Sequence, residues 1–307
     1  MKRLILLCLT LCVMSLQAQT VDADSLLNVG DTRFFKTGDM NGAFRAYKVA
    51  ADAGNPTAKF MLGRCYAEGL GTDQNLQKAV NLWQEASLDG IGDASLKIAE
   101  MYQHGWGFEQ DFEKAQKWYT LAASQGSDEA MYIVGTHYFY GINSWDKDVN
   151  KGIEYWTMAA EKGHKEAQMS LGMQYYLGES IKRNMLFSVK YFEMAADQGH
   201  IQAAFYAGLF NEYGYGKLTD EVSAAYYYMV AADGGIAEAQ VNLGNLYYQG
   251  RGVDKNLKRA FYWYLEAAKK NNAQAMYNVG VCYMKGEGTE KDEKLGQHWI
   301  KLSKREG

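Results

Sequence analysis

Residues 239–270 read AQVNLGNLYYQGRGVDKNLKRAFYWYLEAAKK, and the fold turns on this stretch. Apolar and small residues recur at helical spacing on both sides of a central break, QGRGVDKN. Glycine takes the left-handed conformation of a helix C-cap without steric cost, so Gly250 ends a first helix. Asparagine is a preferred N-cap because its side-chain oxygen accepts a free amide of the first turn, so Asn256 starts a second. The stretch is a helical hairpin closed by a short loop.

The same hairpin recurs along the chain. Ala239 is one of a set, Ala58, Ala94, Ala130, Ala167, Ala203, Ala239 and Ala275, spaced by 36 residues except for a single step of 37. Eleven residues after each alanine stands a glycine: Gly69, Gly105, Gly141, Gly178, Gly214, Gly250 and Gly286. Each loop then reaches an N-capping side chain, Asn75, Asp111, Asp148, Asn184, Asp220, Asn256 or Asp292. On the second helix, Trp83, Tyr119, Trp156, Phe192, Tyr228 and Tyr264 share one height, followed by small pairs such as Ala122 with Ala123 and Ala267 with Ala268. That helix stops at Gly90, Gly126, Gly163, Gly199, Gly235 or Asn271, residues that tolerate positive φ. Small residues such as Gly63, Gly172, Gly208 and Gly244 allow antiparallel helices to approach to about 8 to 10 Å. One hairpin cannot bury its own apolar stripe, whereas stacked neighbours can. The pattern therefore specifies an all-α fold, an α-solenoid of stacked antiparallel helix pairs.

Outward from this array, residues 55–307 hold seven repeats and residues 19–54 an atypical capping hairpin. Its first arm carries Leu26, Leu27, Phe34 and Phe35, its second Ala43, Phe44, Tyr47, Ala50 and Ala51, with a loop over Thr37–Asn41. Residues 1–18 have the form of a secretory signal peptide: Lys2 and Arg3, an apolar run from Leu4 to Leu16, and the small Ala18 before the cleavage point. Bulky Leu11 before Cys12 argues against lipidation there. The run is too short to span a bilayer, and no later stretch approaches the required length. The expectation is an exported chain, periplasmic or secreted, without a transmembrane segment once mature.

Composition excludes several classes. With 48% hydrophobic residues, 22% charged and a single proline among 307, the chain is neither disordered nor collagenous. Thirty-two Lys and Arg against 36 Asp and Glu give a net charge of −4, with no basic footprint for nucleic acid. The G-x-G strings GLGTDQN, GWGFEQD, GRGVDKN and GEGTEKD join two helices and recur at the repeat period, unlike a phosphate-binding loop, which follows a strand. The histidines offer no HExxH and no i, i+4 pair, and His164 and His200 read as solvated turn residues. Cys65 and Cys282 lie at equivalent heights in the first and last repeats and read as small buried hydrophobes, too far apart to form a disulfide. Carboxylates sit beside Lys or Arg on solvated faces. No catalytic residue and no metal or other cofactor is expected.

A unit of the form A-x-x-x-x-LG-x-x-Y-x-x-G-x-G, an Asn or Asp cap, then K-A-x-x-W-x-x-A-A-x-x-G, closely resembles the Sel1-like repeat, a branch of the tetratricopeptide superfamily. Residues 22–54 look more like an ordinary tetratricopeptide hairpin. The resemblance implies a right-handed superhelix that binds protein or peptide on its surface and has no common active site. Some secreted bacterial relatives join the helices of each unit by a disulfide; that pattern is absent here, so these units hold by packing.

If first helices line the inner surface, as in tetratricopeptide relatives, the aromatics facing it include Tyr132, Phe139, Tyr140, Tyr176, Phe205, Tyr213, Tyr248 and Tyr277. Tyrosine supplies amphipathic contact area at low entropic cost, which suits a binding surface. Contact between neighbouring repeats is the competing role, more so for Phe205 and Tyr277, near the core register. The expected centre is Tyr140, Tyr176 and Tyr213, read as one repeat apart. Trp145, in the loop with the inserted residue, aligns with Phe108, Ile181 and Val253, so it reads as a loop latch or a contact hot spot. The leading expectation is a monomeric scaffold for a protein or peptide partner. A glycan or cell-wall ligand in the aromatic groove is the alternative, and no residue pattern supports a hydrolase.

Because contacts in such an array are nearest-neighbour, division of the chain after Gly199 is expected to leave both halves partly helical by circular dichroism; full unfolding of both would indicate one indivisible core.

Overall fold

A computed structural model describes residues 22–306. Sixteen α-helices and one π-helical turn occur among the described residues, with no strand. They fall into two compact units, the first reaching His137 and including Gly141–Lys147, the second holding Tyr138–Tyr140 and the chain from Asp148. The leader read over residues 1–18 lies outside the described residues.

In the first unit, α1 (Ala23–Asp31) runs into the π-helical turn Thr32–Thr37 and packs on α2 (Met40–Asp52). The repeats begin with the pair α3 (Pro56–Glu68) and α4 (Leu76–Leu88), then α5 (Gly92–His104) and α6 (Phe112–Ser124), then α7 (Asp128–Tyr140), whose last turn belongs to the second unit. The second unit continues with α8 (Val149–Glu161), α9 (Lys165–Leu177), α10 (Met185–Asp197), α11 (Ile201–Tyr213) and α12 (Glu221–Asp233). It ends with α13 (Ala237–Gln249), α14 (Leu257–Ala268), α15 (Ala273–Lys285) and α16 (Glu293–Glu306). Within each unit the main helix contacts join neighbours in sequence. The second unit's core runs unbroken from Val189 to Cys282 across successive repeats, as stacking requires.

Several hairpins close around one notch. The large aromatic of the second helix lies over the small residue of the first: Trp83 Cδ1, Phe192 Cδ1 and Tyr264 Cδ1 each stand 2.7 Å from where a Cβ would sit on Gly63, Gly172 and Gly244. The N-terminal hairpin uses the same device, with Tyr47 over Gly30 and its hydroxyl donating to Asp31 at 2.8 Å. Leu26, Leu27 and Phe34 pack there as expected. Phe35 does not: the π-turn rotates it outward, and it is 65% exposed.

The loops are closed by repeated polar contacts. All seven Asn or Asp caps accept a first-turn amide, as Asn75 does from Lys78 at 2.9 Å and Asp292 from Leu295 at 2.9 Å. Each cap contributes about 1 kcal/mol by the usual measure. The cap's own amide donates back to the carbonyl near the end of the first helix, Asn75 to Tyr66 and Asn256 to Tyr247 at 2.8 Å. In four repeats a cation three residues past the cap covers that tyrosine ring: Lys78 on Tyr66, Lys114 on Tyr102, Lys151 on Tyr138 and Arg259 on Tyr247, at 5.0 to 5.4 Å. This explains the lysine of the K-A pair, worth about 0.5–1 kcal/mol where exposed.

The two glycines of G-x-G differ in purpose. The first is the left-handed C-cap, with φ between 69° and 76° throughout. The second lets one repeat touch the one before it. A Cβ on Gly71, Gly216, Gly252 or Gly288 would overlap backbone atoms of Met40, Met185, Glu221 or Leu257, at the start of the preceding second helix.

Gly252→Ala, which meets both the Glu221 backbone and a φ of 65°, is therefore expected to cost about 3 kcal/mol. Gly199→Ala has a φ of 79° but open space and should cost about 1 kcal/mol. Urea unfolding followed by circular dichroism compares them, and equal losses would remove the inter-repeat contact as the cause.

Candidate functional site

Both described cysteines and two of the histidines are engaged in packing or capping. Cys65 on α3 and Cys282 on α15 are buried and free, and burial pushes both thiols up to about 11. His164 and His200, expected as solvated turn residues, are helix N-caps instead. Their Nδ1 atoms accept the amides of Ala167 and Ala203 at 3.2 and 3.1 Å, in the place that Asn55 and Asn272 fill elsewhere. His200 Nε2 also contacts Glu166 Oε2 at 3.0 Å. The imidazole nitrogen accepts as the shorter caps do, and the ring is thereby drawn inward. His137 is buried between Tyr119 and Trp145, with centroid distances of 5.8 and 5.5 Å, and burial lowers its pKa. Trp145 is itself buried and so serves as the loop latch. Among the described residues, no cluster of three or more His, Cys, Asp or Glu is arranged to hold a metal ion.

The candidate binding aromatics separate into three groups. Tyr140 and Tyr213 are 59% and 57% exposed, each the last residue of its first helix, α7 or α11. Tyr176, Tyr248, Tyr132 and Phe205 are half-buried, while Tyr277 is exposed. Phe139 is 8% exposed and stacks on Trp156 at 4.5 Å, so it belongs to the core. Tyr176 is not the equivalent of Tyr140 and Tyr213, because Leu177 fills their position on α9. One residue along a helix is a rotation of about 100°, which turns Tyr176 inward. Its ring lies edge-on to Phe210 at 5.4 Å, under the Arg183 guanidinium at 5.9 Å. Tyr248 is tied down as well, donating to Glu287 at 2.9 Å.

One set of positions escaped the sequence reading: the residue between the two loop glycines. Trp106 is 56% exposed and stacks on His104 at 4.6 Å; Tyr215 stacks on Tyr213 at 5.8 Å. The signal was present, since this position is apolar or aromatic at Leu70, Trp106, Ile142 and Tyr215 but charged at Glu179, Arg251 and Glu287. Beside the tyrosine pair, Arg251 is held by Glu212 at 3.1 Å and Glu221 at 2.7 Å, and the Glu212 carboxylate raises the pKa of Tyr213.

The first unit also contains a cavity of about 590 Å³ between α3 and α5. Phe60, Leu76, Trp83 and Met101 form its apolar lining, and the Gly105–Gly107 turn adds the exposed ring of Trp106 to it. Two ion pairs edge it, Arg64–Glu68 on α3 and Lys97–Glu100 on α5, both at 2.8 Å.

A helical-hairpin array with this period defines a repeat protein of the α-solenoid class. The Sel1 repeat profile matches residues 56–91, 92–127, 128–164, 165–200, 201–236, 237–272 and 273–307, and the chain belongs to the Sel1 repeat family. Members of this family generally act as protein-interaction scaffolds. Among solved structures, c5321, a protective antigen of uropathogenic Escherichia coli strains with an SLR fold, is similar with 25% identity and a TM-score of 0.63 over 95% of this chain. The chain spans 66% of the length of c5321. A Sel1 repeat protein from Oxalobacter formigenes is similar with 26% identity and a TM-score of 0.55, over 97% of this chain and 86% of that one. Immunity protein PA5088 from Pseudomonas aeruginosa shares the fold, with 22% identity and a TM-score of 0.50 over 70% of this chain and 82% of that one. Among curated proteins no sequence matches. No helix among the described residues is long and apolar enough to cross a membrane.

The depressed pKa of His137 predicts a pH effect. Its unfolded form takes a proton near pH 6.5 while the buried ring resists protonation, so stability falls as pH drops through that value and is regained as pH rises. Between pH 7.5 and 5.5, urea unfolding should show a loss of about 1 kcal/mol in the parent that His137→Gln lacks.

Proposed function

We propose that this protein is an exported, non-catalytic scaffold that holds a protein or peptide partner against the ends of its first helices, with Tyr140 and Tyr213 at the centre. The observation that carries the reading is that these two large aromatics stay more than half exposed at equivalent positions. Tyr140 touches Phe139 and Trp156 with one edge only, and the ring surface it leaves in water would at an interface become a contact of the kind that dominates binding energy. Phe139 packs against the Tyr140 ring at 4.9 Å, and the half-buried Tyr132, Tyr176 and Tyr248 are further candidate contacts under this proposal.

Export is supported by the charged-then-apolar leader of residues 1–18 and agrees with the description of the similar protein c5321 as a protective antigen. A non-catalytic role is supported by the engagement of the thiols and buried histidines in packing and capping. The stacked pairs His104–Trp106 and Tyr213–Tyr215 favour a second reading, a flat glycan or cell-wall ligand laid on these rings.

Tyr140→Ala combined with Tyr213→Ala should reduce crosslinked partner recovered from intact cells about tenfold or more, since central interface aromatics cost about 1 to 4 kcal/mol on truncation. The double variant should keep its helical signal and lose under about 1 kcal/mol of stability, the range for surface positions. Undiminished capture with intact folding would move the contact elsewhere.

A further inference from the structure

We propose that the cavity between α3 and α5 is a peptide subsite that takes one bulky apolar side chain, from a segment carrying an acidic residue on one flank of that anchor and a basic residue on the other. This rests on the reading of the chain as a protein- or peptide-binding scaffold and adds a contact of defined chemistry in the first unit.

The size and lining of the cavity select the ligand class. A volume of about 590 Å³ lies within the range of small-ligand sites, about 300–1,000 Å³. Its inner surface is largely hydrocarbon, from Phe60, Leu76 and Met101. The polar atoms nearby are already used, with Trp83 Nε1 donating to the Phe60 carbonyl at 3.1 Å and Gln74 Nε2 to the Ala67 carbonyl at 2.7 Å. A sugar would surrender its hydration here and recover few hydrogen bonds. An apolar side chain loses nothing of that kind and gains by burying the surface it lays on this lining.

The edges specify the flanks. First helices of stacked hairpins run in the same direction, so repeat register gives the heights. Arg64 and Glu100 share one level, Lys97 lies three residues toward the N-terminal end, and Glu68 four residues toward the C-terminal end. Each helix thus brings one cation and one anion to the cleft, paired with each other at rest, with Lys97 the charged residue nearest one end and Glu68 the one nearest the other. Seven residues of helical rise separate those ends by about 10 Å, which an extended peptide crosses in about three residues. An acid facing Lys97, an apolar anchor between and a base facing Glu68 would match. The existing pairs Arg64–Glu68 and Lys97–Glu100 do not bar this, because exposed ion pairs are worth at most about 1 kcal/mol and can exchange partners. A lipid headgroup of one sign has no such match in an edge of two cations and two anions. Trp106, held by His104 and more than half exposed, supplies an exposed part of the lining.

A random peptide library displayed on phage, panned against the full chain, tests this. Enriched sequences should carry an acid and a base about three residues apart with a large apolar residue between. Their synthetic forms should bind Trp106→Ala at least tenfold more weakly, with its circular dichroism unchanged. Glu68→Lys should replace the selected base by a second acid. Enriched peptides that bind Trp106→Ala as well as the parent, or that lack the pattern, overturn the cavity proposal and leave peptide binding elsewhere intact. Failure to enrich any peptide overturns it too; the scaffold reading would then stand or fall on capture through Tyr140 and Tyr213. Chitotetraose or dodecylphosphocholine, titrated in parallel, would overturn it by binding in a Trp106-dependent way where peptides do not.

Discussion

The seating of one large aromatic ring on a backbone that lacks a side chain is the contact on which the rest of the structure depends. Trp83 on Gly63, Phe192 on Gly172 and Tyr264 on Gly244 bring two antiparallel helices close at mid-height, and Tyr47 on Gly30 does the same before the first repeat. A ring buried there removes a large apolar surface from water. With that distance fixed, the buried alanine pairs fit the remaining gap, and each hairpin presents an apolar side that a neighbour must cover. The device varies on either side: buried Ala99 takes the glycine position in the second repeat, and Ile300 takes the aromatic position over Gly280 in the last.

Stacking depends on a second approach, made by loops. The inner glycine of each G-x-G lies on the first turn of the preceding second helix, so neighbours register at a defined height. Where glycine is absent the chain adapts: Asn143 takes the left-handed conformation, with φ of 57°, in the repeat that carries the extra residue. Trp145 then fills the enlarged loop against His137. The insertion is absorbed locally and the cap at Asp148 still closes its helix.

The proposed contacts occupy what packing leaves free. The residue between the loop glycines and the last residue of each first helix make neither of these contacts, so they vary in chemistry from repeat to repeat. Tyr140, Tyr213, Tyr215 and Trp106 all occupy such positions. The cavity of the first unit has a related origin, in a pair of first helices edged by long charged side chains with the exposed ring of Trp106 added to the lining.

By itself the sequence determined the repeat, its helices and its caps, because each rests on local chemistry: glycine at a left-handed C-cap, Asn or Asp at an N-cap, an apolar stripe at helical spacing. Those signals are carried by one or a few neighbouring residues, and their recurrence at a fixed period removes ambiguity. Which aromatics remain on the surface was decided by tertiary structure. Phe139, Tyr140 and Tyr176 look alike in a string of apolar first-helix ends, yet a rotation of about 100° separates a ring under a neighbour from a ring in water. The contact of His200 with Glu166 and the cavity beside Trp106 likewise depend on what stands opposite. Side-chain type and period set the helices; burial is a property of the pair of surfaces that meet, and it exists only once the helices have packed.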